Sequence, residues 1–273
     1  MIIYQSTKEQ FLLDVSSKKI DTVINSHYFE KTGRHVSSSE QNAWKRSMFY
    51  MRDVLSDSEI PEDTGVAIEY LIPQTMKRID FVLTGKNEHG IDHAILIELK
   101  QWSEAKLSEK DAILYTDFYG EVNHPSYQVW SYAALLNGFN ETVYEENIQL
   151  KPCAYLHNYI PDNVIRNEFY KDYLQKAPVF LQGNEEQEKL QSFIKQFVKQ
   201  GDKTNIMYRI DNGRIKPSKS LADSLAKMLK GNNEFVLIDE QKIAYETALS
   251  LAKRSSNTNK NVLIVEGGPG TGK

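Results

Sequence analysis

Cysteine is almost missing: Cys153 is the only one in 273 residues, which excludes an intrachain disulfide and a cysteine-based zinc site. Long apolar runs are missing too. No stretch approaches a membrane span, and the opening "MIIYQSTKEQ" lacks the basic-then-apolar pattern of a secretory leader. The expected compartment is therefore the cytoplasm, with no membrane partner. Nor is there an excess of one charge. At a formal −4, the chain would have to meet a polyanion through a local patch or a metal, not a global field. Repeats and low-complexity tracts are also absent. What is there, 40% hydrophobic and 26% charged residues, describes an ordinary globular chain with room for a domain and a half.

Residues 1–36 mix polar and apolar positions and suggest one or two short helices. In "SSSEQNAWKRSMFYMRDVL", Trp44, Met48, Met51 and Leu55 make one helical stripe. Three strands are expected next, "GVAIEYLIP", "KRIDFVLTG" and "DHAILIELK", the last two joined as a hairpin by "GKNEHG". A polar section leads to the amphipathic helix "HPSYQVWSYAALLNGF" and a buried strand, "KPCAYLHNY". Two more helices follow. One carries Leu190, Phe193, Ile194 and Phe197, the other Leu221, Leu225 and Met228.

Inside the hairpin strands sit charges that burial should penalise unless they are paired or bind a metal. Alternation places Arg78, Asp80 and Val82 on one face, opposite Ile79, Phe81 and Leu83, and puts Glu98 and Lys100 together on the next strand. If the strands pair, Asp80 approaches Glu98 and Lys100. Two carboxylates held close repel unless a cation lies between them, and such hard oxygen donors suit Mg²⁺ or Mn²⁺. A lysine beside that metal can orient or deprotonate water, or neutralise charge on a phosphate. The competing reading of "ELK" is a plain Glu98–Lys100 salt bridge.

The order helix, strand, Asp80 strand, Glu98-Leu99-Lys100 strand, helix, strand resembles the PD-(D/E)XK nuclease superfamily. "QVWSY" adds Gln128 and Tyr132 on one helical face, similar to the Q-x-x-x-Y motif of its RecB-like members. The resemblance implies a restriction-endonuclease-like α/β fold, a mixed sheet flanked by helices. It implies that Asp80, Glu98 and the Leu99 carbonyl bind the metal, and that Lys100 helps the attacking water. Gln128 and Tyr132 would hold Lys100 or the substrate strand, unless Tyr132 is a core aromatic with Gln128 solvated. Glu40 is either a metal ligand from the first helix or the partner of Ser37 in a capping box. Glu69 is expected on a solvent face. His124 reads as a helix-start residue, and His27 and His35 are the only upstream candidates for the family's metal-binding histidine, neither of them matching its pattern.

"GGPGTGK", Gly267 to Lys273, follows an apolar strand and fits a Walker A loop, with Gly267, Gly268, Gly270, Thr271, Gly272 and Lys273 cradling phosphates. "LIDEQKIAYETAL" is similar to the adenine-reading segment of superfamily-1 helicases, with Gln241 in the reading position. Together these resemble the bacterial Schlafen group-3-like DNA/RNA helicase proteins. The expected organisation is a nuclease-like domain over 1–200, a helical connector over 201–233, and over 234–273 the start of a P-loop NTPase domain. ATP would matter only in the full-length helicase context, because the helix and Walker B carboxylate that complete a motor are not in the sequence. The expected function is metal-dependent hydrolysis of nucleic acid, DNA ahead of RNA, in DNA processing or anti-phage defence. The alternative is a catalytically inactive module that binds nucleic acid or a partner for the helicase.

Overall fold

The chain opens on a strand, β1 (Ile2–Thr7), followed by α1 (Lys8–Ser16) and α2 (Ile20–Thr32). This is a computed structural model, and it describes residues 1–219, 236–256, 258 and 260–267. Helix alone was expected for residues 1–36. The strand escapes the pattern because Ile2, Ile3 and Tyr4 are all buried in succession and so show no alternation. Helix α3 (Ser38–Leu55) begins where the Ser37 hydroxyl accepts the Glu40 N–H at 3.2 Å, and its stripe of Trp44, Met48, Met51 and Leu55 is buried as expected.

The three expected strands form an antiparallel run, β2 (Gly65–Leu71), β3 (Arg78–Lys86) and β4 (Asp92–Lys100). The section after β4 folds into a small antiparallel sheet of β5 (Lys106–Leu107), β6 (Ile113–Thr116) and β7 (Gly120–Asn123). Helices α4 (Pro125–Phe139) and α5 (Glu141–Glu145) then carry the chain over one face of the main sheet. It returns as β8 (Gln149–Leu156), parallel to β4, and β9 (Val179–Phe180) lies parallel to β8. The main sheet thus has the order β1-β2-β3-β4-β8-β9. Its β4–β8 join needs a crossover, which α4 supplies.

Helices cover both faces. Val129, Tyr132, Ala133 and Leu136 of α4 pack with Val82, Ala94 and Leu96, and Ile206, Met207 and Ile210 of α8 (Ile206–Asp211) join them. On the other face α1, α2 and α3 are joined by α7 (Asn184–Phe197), whose Leu190 and Ile194 meet a cluster holding Phe81, Leu83, Ile95 and Ile97. A short α6 (Lys171–Lys176) follows β8, and α9 (Glu240–Arg254) closes the described helices. The architecture is α/β, a mixed six-stranded sheet flanked by helices.

Two expectations fail locally. The alternation along β2 and β3 breaks in the middle. Ile68 and Phe81 pair and face the α7 side, whereas Tyr70 and Ile79 pair and face the α4 side with Val82. Ile79 therefore does not share a face with Phe81 and Leu83. The cause lies between the pairs, where Glu69 adopts a left-handed φ of 56° and reverses the sense of the strand. The second failure is the apolar run 262–265, expected as a strand. Residues 260–267 have no ladder, and Val262 and Ile264 are 84% and 78% exposed. A buried parallel strand needs neighbours on each side, and the described residues offer none. The helix expected around Leu221, Leu225 and Met228 lies outside the described residues, as do Gly268, Gly270, Thr271, Gly272 and Lys273.

Candidate active site

The β3–β4 ladder ends at the pair Phe81 and Ile97. One step further, a side chain replaces the main chain, and Asp80 Oδ2 accepts the Leu99 N–H at 2.7 Å. This fixes the Asp80 carboxylate beside the end of β4, where the next residues are Glu98 and Lys100. Glu98 is 2% exposed. Its Oε1 accepts from Lys100 Nζ at 2.6 Å, and its Oε2 is buried with no hydrogen-bond partner. The sequence expectation that Asp80, Glu98 and Lys100 converge is met.

Burial, then the nearby Asp80 charge, pushes the Glu98 carboxyl up to about 8 against the pull of Lys100. Asp80 is also raised, by burial above all, against Lys100 and the Leu99 N–H. For Lys100 burial works downward, but Glu98 and Asp80 outweigh it and the ammonium is raised. One lysine thus serves two carboxylates, and one buried carboxylate oxygen is left without a donor.

Glu69 was expected on a solvent face and is instead 3% exposed inside this site. Its left-handed backbone turns the carboxylate inward, where Trp44 Nε1 donates to Oε1 at 2.7 Å and Arg78 Nε stands 2.9 Å from Oε2. Arg78 also reaches Glu40 Oε1 at 2.6 Å, so one guanidinium ties helix α3 to strand β2. Glu40 therefore faces the same cleft with its carboxylate already engaged, while its N–H takes the Ser37 cap.

Gln128 and Tyr132 lie together, Gln128 Nε2 donating to Tyr132 Oη at 3.1 Å. Their onward partner is not Lys100. Tyr132 is 2% exposed within the α4 core and donates to Asp239 Oδ2 at 2.7 Å. Asp239 was not foreseen. It is 8% exposed with φ of 46°, its Oδ2 stands 3.0 Å from Lys77 Nζ, and its Oδ1 is buried without a hydrogen-bond partner. The neighbouring Gln241 turns its Oε1 back to accept the Ile238 N–H at 3.2 Å.

These groups border a cleft of about 980 Å³ lined by Glu40, Glu69, Asp80, Leu99, Lys100 and Asp239 among others. Glu98 does not line it, since Lys100 bonds to it from the cleft side. No predicted histidine reaches it. His27 stacks on Tyr4, His35 on Phe29, and His124 starts α4 as expected, with Nδ1 accepting the Ser126 N–H and burial lowering it to about 4. His157, not foreseen, is buried behind the cleft wall and faces Ser47 Oγ, a lining residue, at 3.1 Å.

Among the described residues no three His, Cys, Asp or Glu side chains stand together as a metal-ligand set. The donors expected here are the Asp80 and Glu98 carboxylates and the Leu99 carbonyl, with Glu40 as a further candidate whose carboxylate is instead engaged by Arg78. The unpartnered Oε2 of Glu98 beside Asp80 fits a hard divalent cation. Comparison with protein-family models, with curated proteins and with solved structures found no match to this chain.

Proposed function

We propose that this chain hydrolyses phosphodiesters of nucleic acid, DNA ahead of RNA, with a divalent cation as cofactor. The observation that carries the reading is the buried, unpartnered Glu98 Oε2, held behind Lys100 and beside a second carboxylate, Asp80, that lines an open cleft. Asp80, Glu98 and the Leu99 carbonyl would hold Mg²⁺ or Mn²⁺. When bound, such an ion lowers the pKa of its water and neutralises charge on the scissile phosphate. The Leu99 N–H bond holds Asp80 in place for that task, and Lys100 presents its ammonium at the cleft surface, where it can donate to a phosphate oxygen. Tyr132 and Gln128 support the site from below by anchoring Asp239. The resemblance of Gly267–Lys273 to a Walker A loop supports a further reading of the same kind, that this nuclease belongs beside an ATP-dependent helicase.

One observation favours the non-catalytic alternative: Lys100 and Glu98 already form a closed pair at 2.6 Å, as a purely structural ion pair would. Cutting assays separate the two. Single- and double-stranded DNA and RNA are incubated with Mg²⁺, Mn²⁺ or EDTA, for the wild type, Asp80→Ala and Lys100→Ala. Metal-dependent cutting that falls by about 100-fold or more in both variants is expected. Intact substrate in every lane, with folded protein, transfers the site to the binding module.

A further inference from the structure

The small sheet overhangs the cleft by its tightest turn. Thr116 pairs with Gly120, which leaves only Asp117, Phe118 and Tyr119 in the turn. Gly120 supplies the left-handed φ of 70°, and Thr116 Oγ1 accepts the Tyr119 N–H at 3.2 Å. The turn is thus well built, yet its tip carries two large rings that bury little. Phe118 is 86% exposed and Tyr119 64%. Their centroids lie 4.6 Å apart with the ring planes at 78°. Turns are ordinarily filled by small polar residues, and exposed rings add nothing to the core. Both rings line the same cleft as Asp80 and Lys100, and so does Trp102, whose ring lies 5.3 Å from the Lys100 ammonium.

Charge decides what these rings can recognise. Eight carboxylates line the cleft against three cations, Arg46, Arg78 and Lys100. Of the three, Arg78 is held by Glu40 and Glu69, and Lys100 by Glu98. Neutralising phosphates cannot supply much affinity in such a cleft. Stacking can, because every base has a π face and the ring contact itself needs no cation. In a duplex those faces are already covered by neighbouring bases.

We propose that Phe118 and Tyr119 form a stacking platform for the bases of a single strand, so that unpaired nucleic acid is the substrate class of this cleft. The inference rests on the hydrolytic reading only for what happens to the strand next. Binding itself needs neither metal nor cutting.

The experiment is fluorescence anisotropy with a labelled oligothymidylate of about 12 nucleotides, a length within the usual range of such sites, and a duplex of equal length, in EDTA. The single strand should bind at least about tenfold more tightly than the duplex. Even if all three lining cations, two of them already paired, were to meet phosphates, log Kd against log salt should be no steeper than about 2 in magnitude. Phe118→Ala with Tyr119→Ala should weaken binding about 10- to 100-fold. Thermal unfolding should not change, because both rings are largely exposed. Equal affinity for the duplex, an unaffected double variant, or no binding at the highest protein concentration would each overturn the platform. Binding that obeys these expectations beside absent cutting sinks only the hydrolytic reading. Metal-dependent cutting beside failed or ring-independent binding sinks only the platform.

Discussion

Replacing Glu69 by glutamine should stabilise the protein, and by an amount that grows with pH. Glu69 is 3% exposed, and burial is the largest influence on it, followed by Arg78 pulling its carboxyl down and Asp80 pushing it up. The outcome is a carboxyl raised from 4.5 to about 8. The folded chain therefore keeps the Glu69 proton up to about pH 8, whereas the unfolded chain releases it near 4.5. Between those values the folded state binds more protons, so stability falls as pH rises through the window and levels off above it. At 1.36 kcal/mol per unit, the loss is on the order of 3 kcal/mol at pH 7 and about 5 above pH 8. Glutamine keeps the shape and an oxygen for the Trp44 N–H but has no proton to lose. Glu69→Gln should match the wild type near pH 5 and exceed it progressively toward pH 8. Urea unfolding followed by tryptophan fluorescence, in EDTA from pH 5 to 9, reads the difference directly. A difference that stays flat, or a variant less stable at pH 8 than the wild type, would show that Arg78 keeps Glu69 ionised throughout and would refute the reasoning.

Two further substitutions test the packing around the site. Tyr132→Phe removes the donor to Asp239 Oδ2 and leaves a buried carboxylate with Lys77 as its remaining partner. It should cost about 1–3 kcal/mol in urea unfolding, with a smaller loss in a chain that also carries Asp239→Asn. Gly85→Ala places a methyl 2.6 Å from the Gln200 carbonyl oxygen and 2.7 Å from Val198 Cγ1. The carbonyl belongs to backbone that cannot swing aside, so a loss of about 1–3 kcal/mol is expected in the same assay.

What the sequence disclosed follows from how local each feature is. Regular periodicity revealed α3, α4, α7 and the antiparallel run, because one apolar stripe or one alternating face announces each of them. Asp80, Glu98 and Lys100 were legible for the opposite reason, as charges interrupting apolar strands. Glu69 carried the same signal in "AIEYL" and was misplaced, since period-two counting assumes extended backbone and its left-handed φ breaks that assumption. The break also moved Ile79 to the face opposite Phe81. The strands of the small sheet span only two to four residues, too short for any period to show. Asp239 had no readable signal at all. Only tertiary structure brings it under Tyr132, 107 residues away in the chain.

The bond between Asp80 and Leu99 closes a loop of 19 residues, while the one between Tyr132 and Asp239 closes 107. In chain-entropy terms the second closure costs about 1.5 kcal/mol more than the first. The hairpin bearing Asp80, Glu98 and Lys100 can therefore assemble early, from neighbouring chain. The carboxylate of Asp239 reaches the cleft only once α4, which carries Tyr132, is laid across the sheet.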